Sequence, residues 1–437
     1  MRRRFKRITS IVTYIIAVAM LFTCSFFQPT VGFAKETNSA SYYAGMAKMD
    51  LSPTQEQLDT KTIFMGGYGS YMTRGPAEGV SDNRIYARAL ALKSGSESIV
   101  YLTIDTTVIG NEVLDAIQKG AADLTGIPED HIMISATHTH AGPDVNGLWG
   151  GVSAEYKQYF IKQSIRAVED AAENMKHVTI TTGSTQVPQE LVKNRRGLGY
   201  TDRDMEVLQF RAGKEMVATL VNFAVHPVVL REDNKLLSSD FVGSLERNLE
   251  AQYGGTAMFI NGAQGDVEPN VDWNVDVPAQ YELAKNYGDS ISFYVSEAIL
   301  KSKEVSQGIS IKTTNVTFPV QNPAFLYANR LGWFNGYFDM RQDGKNYYVD
   351  SKISRITLGK GANTVEMVTL PGEALTNLGL DIRKMMPGKH KMLLGLTQDT
   401  LGYLIPENEW NGSEYEEQVS LGIQTGEIVR QAIQGLY

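Results

Sequence analysis

The chain has 437 residues, of which 43% are hydrophobic, with one cysteine and a formal net charge of −8. A core of that size needs no covalent staples, and a lone cysteine excludes both a disulfide framework and a thiolate metal site. The acidic balance argues against nucleic acid and anionic membrane surfaces as partners recruited by bulk charge.

The first residues read as a targeting segment. Arg2, Arg3, Arg4, Lys6 and Arg7 precede an apolar stretch from Ile11 to about Phe22, and Gly32 and Ala34 suit cleavage before Lys35. This is the layout of a secretory signal peptide over residues 1–34, with an apolar run short for a membrane span. An uncleaved anchor and lipidation at Cys24 are the alternatives, and the bulky Phe22 fits a lipoprotein signal badly. Loss of the leader's five basic residues would take the mature chain to −13 and leave it without cysteine. A secreted or extracytoplasmic protein is therefore expected. Residues 35–437 hold no Pro/Gly/Ser linker, repeat or low-complexity tract, so one continuous domain is the simpler expectation.

In chain order, Ala44–Leu51 reads as a strand, and Thr62–Gly69 as a Gly-rich loop whose glycines suit either a ligand or a plain turn. Ile85–Leu92 and Ser98–Asp105 read as strands, Asn111–Leu124 as an amphipathic helix, and Ile132–Ile134 as the core of a short strand. That strand runs into His138, Thr139 and His140 and a turn over Ala141–Asp144. In an extended segment, residues two apart face one side, so both imidazoles would face one pocket. Backbone-bonded loop histidines are the alternative. Ala154–Met175 is a long helix by its apolar spacing. Met216–Val225 is an unbroken apolar run ending at His226-Pro227, and Ala257–Ile260 is another, running into Asn261–Asn270. Pro278–Ser302 reads as a helix, Ile309–Phe318 and Thr364–Leu370 as strands, Ala374–Met385 as a helix and Met392–Leu396 as a last strand before the Tyr403 loop.

Metal-capable residues follow the ends of these strands: Asp105, His138 and His140, His226, Asp266 and Glu373. Ligands of layered α/β folds bind at such ends, and apolar runs of this kind suit parallel strands. The expectation is an α/β fold of layered mixed β-sheets flanked by helices, with its active site in loops at strand ends. A catalytic zinc takes about three ligands of the His/His/Glu kind plus water, which His138, His226 and Glu373 would supply. A strand-end cap at His226 and a first-turn glutamate at 373 are the structural alternatives.

Four segments, taken in order, resemble the neutral ceramidase family, the amidase domain of the neutral/alkaline non-lysosomal ceramidases. They are Ser135–Pro143, Asn222–Pro227 followed by Ser238–Asp240, Gly265–Asn270, and Leu370–Glu373, with support from Gly45–Asp50 and Arg84–Arg88. The resemblance implies a zinc amidase in which His138, His226, Glu373 and Tyr403 hold Zn²⁺. It further implies that His140 lies beside the metal against substrate or oxyanion, and that Arg195 lines the same pocket. Zinc-activated water would attack the amide carbon, and His140, Tyr403 and Arg195 are the candidates to meet the oxyanion.

The chain departs from the family pattern at two motif positions. Glu268 stands where the family has a serine and is a candidate general base or a structural carboxylate. Asp144 replaces a glycine, which would make the pocket mouth smaller and more acidic. The family's C-terminal immunoglobulin-like domain is expected to be absent. No deep apolar slot or membrane-docking surface is legible, so the expected partner is a small-molecule or lipid amide, ceramide being one case, with peripheral membrane contact left open. A metal-dependent esterase, a cell-wall amidase and a non-catalytic binding protein on the same scaffold are the rival readings.

Overall fold

The computed structural model describes residues 41–69 and 74–437; the expected leader at 1–34, with Cys24, lies outside the described residues. Two sheets packed face to face form the middle of the molecule. The first contains β1 (Tyr42–Asp50), β2 (Tyr86–Ser94), β3 (Glu97–Ile104), β4 (Ile132–Ala136), β5 (Lys176–Gln186), β6 (Asp204–Ala212), β7 (Glu215–Phe223) and β8 (Thr256–Asn261), in the spatial order β8-β7-β6-β5-β1-β2-β3-β4. The second contains β9 (Ile309–Pro319), β10 (Asn346–Leu358), β11 (Val365–Thr369) and β12 (His390–Leu394), in that order.

Four helices cover the outer face of the first sheet: α1 (Asn111–Thr125), α2 (Ala154–Glu173), α3 (Phe241–Tyr253) and α4 (Val277–Leu300). Three cover the second: α5 (Pro323–Arg330), α6 (Thr376–Met385) and α7 (Thr425–Gln434). The layers are thus helix, sheet, sheet, helix. None of the helices among the described residues is long and apolar enough to cross a membrane.

Residue size sets the spacing of these layers. On β2, Ala87, Ala89 and Ala91 face the helices while Leu90 and Leu92 face the second sheet. The small face lets α2 lie close, and at Gly45 an added Cβ would sit 2.1 Å from the Ala171 carbonyl oxygen, so only glycine fits. The leucines fill the space between sheets, each contributing about 1.5–3 kcal/mol by burial. Local signals start the helices. The Ser153 hydroxyl accepts the Tyr156 N–H ahead of α2 at 3.2 Å, and Asp276 accepts the Ala279 N–H ahead of α4 at 3.0 Å.

The unbroken apolar runs lie in parallel pairs, β8/β7 and β3/β4 in the first sheet and β11/β12 in the second, within sheets that are mixed as a whole. Within the first sheet only β8/β7 and β3/β4 are parallel, and the central strands are antiparallel. These runs are apolar because helices press on one face of the sheet and the second sheet on the other. β4, β7 and β11 all end at the same side of this double layer, and the loops that follow them meet there.

Candidate metal centre

Beyond β4 the chain does not stay extended. His138 has φ of +70°, a left-handed backbone outside the glycines, which costs on the order of 1–3 kcal/mol and persists only where surroundings over-determine it. Those surroundings are explicit: the His138 N–H donates to the Thr106 carbonyl (3.0 Å) and the His140 N–H to the Pro227 carbonyl (3.2 Å). The two imidazoles share a pocket because a turn folds them together, rather than through strand alternation. Gly67, at φ +98°, packs so tightly on His140 that a Cβ would fall 2.6 Å from its Cγ. The Gly-rich loop is therefore a wall of the site.

His226 follows β7, and Glu373 follows β11. The Nε2 atoms of His138 and His226 lie 3.2 and 3.1 Å from the same Glu373 oxygen, Oε2. His140 Nε2 lies 3.2 Å from His138 Nε2. Three of the four side chains are almost wholly buried: His138 and His226 at 3% exposure and Glu373 at 6%. Nδ1–H of His138 donates to the Thr107 carbonyl (2.7 Å), and Nδ1–H of His226 to the Val267 carbonyl (3.0 Å). That fixes the tautomers and leaves lone pairs on both Nε2 atoms, the arrangement of metal-ligating histidines.

Lone pairs facing one carboxylate oxygen at that range repel unless a cation or a proton lies between them. The donor set suits a divalent metal such as zinc, and the candidate ligand atoms of His138, His140 and His226 lie within 4.8 Å of one another. Burial would raise the Glu373 pKa, but His138 and His226 together hold it well below the usual carboxylate value. Burial first, then His138 and His226, keeps His140 well below the ordinary histidine value. Burial opposes charge on His226 as well, yet Glu373 overrides it and raises that pKa.

Tyr403 pairs with Glu373 through a short parallel backbone bridge and lines the same cavity. Burial and then the Glu373 charge push its phenol pKa well up. Arg195, expected to line the same pocket, is not among the residues that wall it. Its Nε bonds Glu416 at 3.0 Å, and its guanidinium lies over the ring of Tyr415, 5.1 Å from the centroid. Glu268 is turned to Lys193, 3.7 Å away, and reaches His226 only through its field. Three further expectations need correction. Asp105 and Asp266 do not join the metal-capable set: Asp105 is paired with Arg88 at 3.0 Å, and Asp266 accepts the Thr376 N–H at 2.8 Å. Asp144 does not acidify the mouth. It is buried, and its carboxylate accepts the N–H groups of Gly147, Leu148, Trp149 and Gly151 at 2.6–3.1 Å.

The last of these corrections concerns the apolar slot. A cavity of about 590 Å³ opens from the histidines and is walled by Trp149, Phe325, Trp333, Phe334, Tyr337 and Phe338. Sequence reasoning passed over this stretch, though a signal was present: Asn322-Pro323 starts α5, with the Asn322 side chain accepting the Ala324 N–H at 2.9 Å. The aromatic run from Trp333 to Phe338 follows between glycines.

A family model described as neutral/alkaline non-lysosomal ceramidase, N-terminal, matches residues 42–280. That range holds His138, His140, Arg195, His226 and Glu268, and stops short of Glu373 and Tyr403. The neutral ceramidase of Pseudomonas aeruginosa is 25% identical over 265 residues, which cover 53% of this chain and 37% of that protein. The neutral ceramidase of Drosophila melanogaster is 23% identical over 270 residues, again 53% of this chain and 37% of the relative. The match thus spans little more than a third of these relatives' length. In fold, the crystal structure of the Pseudomonas aeruginosa enzyme superposes with a TM-score of 0.74 at 19% identity, covering 90% of this chain and 74% of that one. A ceramidase complexed with C2 gives 0.73 at 18% identity, with the same coverage.

Proposed function

Because the chain belongs to the neutral/alkaline non-lysosomal ceramidase family, we propose that it is an exported, zinc-dependent amidohydrolase acting on an N-acyl lipid amide. The observation that carries this reading is the meeting of His138, His226 and Glu373 at 3.1–3.2 Å, at the inner end of an apolar cavity. His138, His226 and Glu373, with Tyr403 beside them, would hold the ion. When bound, zinc supplies Lewis acidity toward the amide carbonyl and lowers the pKa of water.

The chain's own residues do the rest. Thr107 and Val267 carbonyls lock the two imidazoles in the ligating tautomer. The aromatic wall takes the acyl chain and excludes water, which strengthens every polar interaction at the amide. The phenol of Tyr403, kept protonated by burial, offers a hydrogen bond toward the oxygen on which charge develops. His140, at the edge of the cluster, is placed to carry at Nε2 the proton that the leaving nitrogen needs. Water oxygen ends on the acyl carbon and the proton on nitrogen, giving a carboxylic acid and an amine.

Export rests on the basic and apolar leader, and N-terminal sequencing of protein recovered from culture medium should begin at Lys35. The amidase reading is tested with fluorogenic N-acyl amides and metal analysis of the purified chain. Turnover that disappears on chelation and returns with zinc is expected. Metal-free protein that hydrolyses these amides at full rate would overturn it.

A further inference from the structure

Across Tyr68 from the histidine cluster lies a second cavity, of about 420 Å³, lined by Arg74, Arg231 and Lys235 together with Tyr68 and the exposed Glu232 and Asp233. Gly69 lines both this cavity and the apolar one, so the two abut. The Tyr68 ring stands edge-on to His140, with centroids 4.8 Å apart. In a chain with a net charge of −8, three cations around one opening beside the candidate active site call for an explanation.

Arg74 is 7% exposed. Its guanidinium donates to the carbonyls of Gly66 (2.8 Å), Asn234 (3.0 Å) and His140, and none of the carboxylates among the described residues lies within 4.0 Å of it. Its Nε is buried without a partner. Lys235 spends its ammonium on the Arg74 carbonyl and likewise has no carboxylate partner among the described residues. Arg231 meets only Glu232, at 3.5 Å and 60% exposed, a pairing worth little in water.

Aromatic rings hold these cations in place. Arg74 and Arg231 both lie 5.3 Å from the Tyr68 centroid, and Arg231 lies 4.9 Å from that of Trp273. Lys193 lies over the same ring, 3.9 Å from its centroid. A row of alternating cation and ring, Lys193, Trp273, Arg231, Tyr68 and Arg74, thus ends against His140. Rings orient guanidinium groups without neutralising them. Burying a cation without a counter-ion is costly, and the cost is recovered when an anion arrives.

We propose that this cavity is the subsite for the amine half of the substrate and binds an anionic group, phosphate or carboxylate, carried several bonds beyond the scissile amide nitrogen. The proposal rests on the amidohydrolase reading above. Arg231 and His140 both contact the Tyr68 ring, at 5.3 and 4.8 Å from its centroid, a separation that suits an anion at the far end of a short linker, such as an ethanolamine phosphate, better than a carboxylate one carbon from the nitrogen. The substrate class is then a single-chain or lipid N-acyl amide with an anionic head, the acyl chain in the aromatic cavity and the head in the cationic one.

Three amides with one acyl chain test this: N-lauroyl phosphoethanolamine, N-lauroyl glycine and neutral N-lauroyl ethanolamine. The expected kcat/KM ratio of phosphate-bearing to neutral substrate is about tenfold, and Arg231→Gln and Lys235→Gln should each collapse it toward one. A preference for the glycine amide instead would assign the anion as carboxylate. In parallel, phosphoethanolamine is titrated calorimetrically into the chelated protein, where Arg231→Gln should weaken binding about tenfold. Hydrolysis of all three amides without preference, or a preference that survives both substitutions, overturns the subsite and leaves the amidase standing. Phosphoethanolamine binding that depends on Arg231, without turnover of any amide, keeps the subsite and overturns the amidase. Absence of both binding and preference overturns the subsite.

Discussion

His138 and His140 are two residues apart and occupy different positions in the cluster. His138 faces Glu373 directly, with its tautomer fixed by the Thr107 carbonyl; the Nε2 of His140 meets that of His138 rather than Glu373, and its Nδ1 is buried without a partner. The expected outcomes therefore diverge. His138→Ala should purify without zinc and without activity. His140→Ala should keep its zinc and lose about 10²-fold or more in kcat, the usual weight of a proton-transfer group. Metal analysis beside steady-state kinetics checks both, and zinc lost equally from the two variants would make His140 a ligand. Asp144 is a contrasting case, a buried carboxylate near the site with no part in its chemistry. Asp144→Ala leaves four backbone N–H groups unpaired and should cost about 3 kcal/mol in urea unfolding. A loss under 1 kcal/mol would show that the 144–151 loop is held by something else.

Among the elements, the segment from α5 to Phe338 shapes the cavity, and its outermost ring is Trp333, 64% exposed. Trp333→Ala should leave stability within about 0.5 kcal/mol, as exposed positions do. It should lower the preference for long over short acyl chains about tenfold, through lost contact area; an unchanged chain-length profile would remove that segment from the binding wall. The loop facing it, between β12 and Tyr403, carries a pH dependence. Burial, together with Asp115 and Asp339, raises Asp399 from 3.8 to about 7. A folded-state pKa above the unfolded one means that the native protein keeps a proton the unfolded chain has released. Stability therefore falls as pH rises from about 4 to about 7, and is not penalised below that window. Asp399→Asn removes the titration. Urea unfolding at pH 4.5, 6 and 7.5 should show the variant gaining on the wild type by roughly 3 kcal/mol across the series. Parallel curves would mean that the carboxyl is solvated. Much of this was legible and some was not. β3, β4, β7, β8 and α2 could be read from apolar spacing, because each is buried on a regular face. The 323–338 segment has no period to read, since its aromatic residues pack by turn geometry around glycines. The left-handed backbone at His138 was likewise invisible, because tertiary hydrogen bonds impose it against local preference.

At the scale of the whole molecule, the site is a joint between layers. His138, His140 and His226 come from loops of the first sheet, and Glu373 and Tyr403 from loops of the second. An ion held by both sets would tie the two sheets together at their open end, so its binding energy would appear as stability of the entire fold. For a metal at a thousand times its Kd the gain is about 4 kcal/mol. Spread over a domain of this size, with the usual unfolding entropy per residue, that is a Tm shift of about 5 °C. Chelation should lower the wild-type Tm by this amount, zinc should restore it, and His138→Ala and Glu373→Gln should melt at the chelated temperature whether or not zinc is added. Calorimetry of the three proteins with and without zinc decides the matter independently of any substrate. A wild-type transition unmoved by chelation in protein shown to have held zinc would mean that the unfolded chain binds the ion as tightly as the folded one, which neighbouring ligands of a single loop can do and ligands gathered from both sheets cannot.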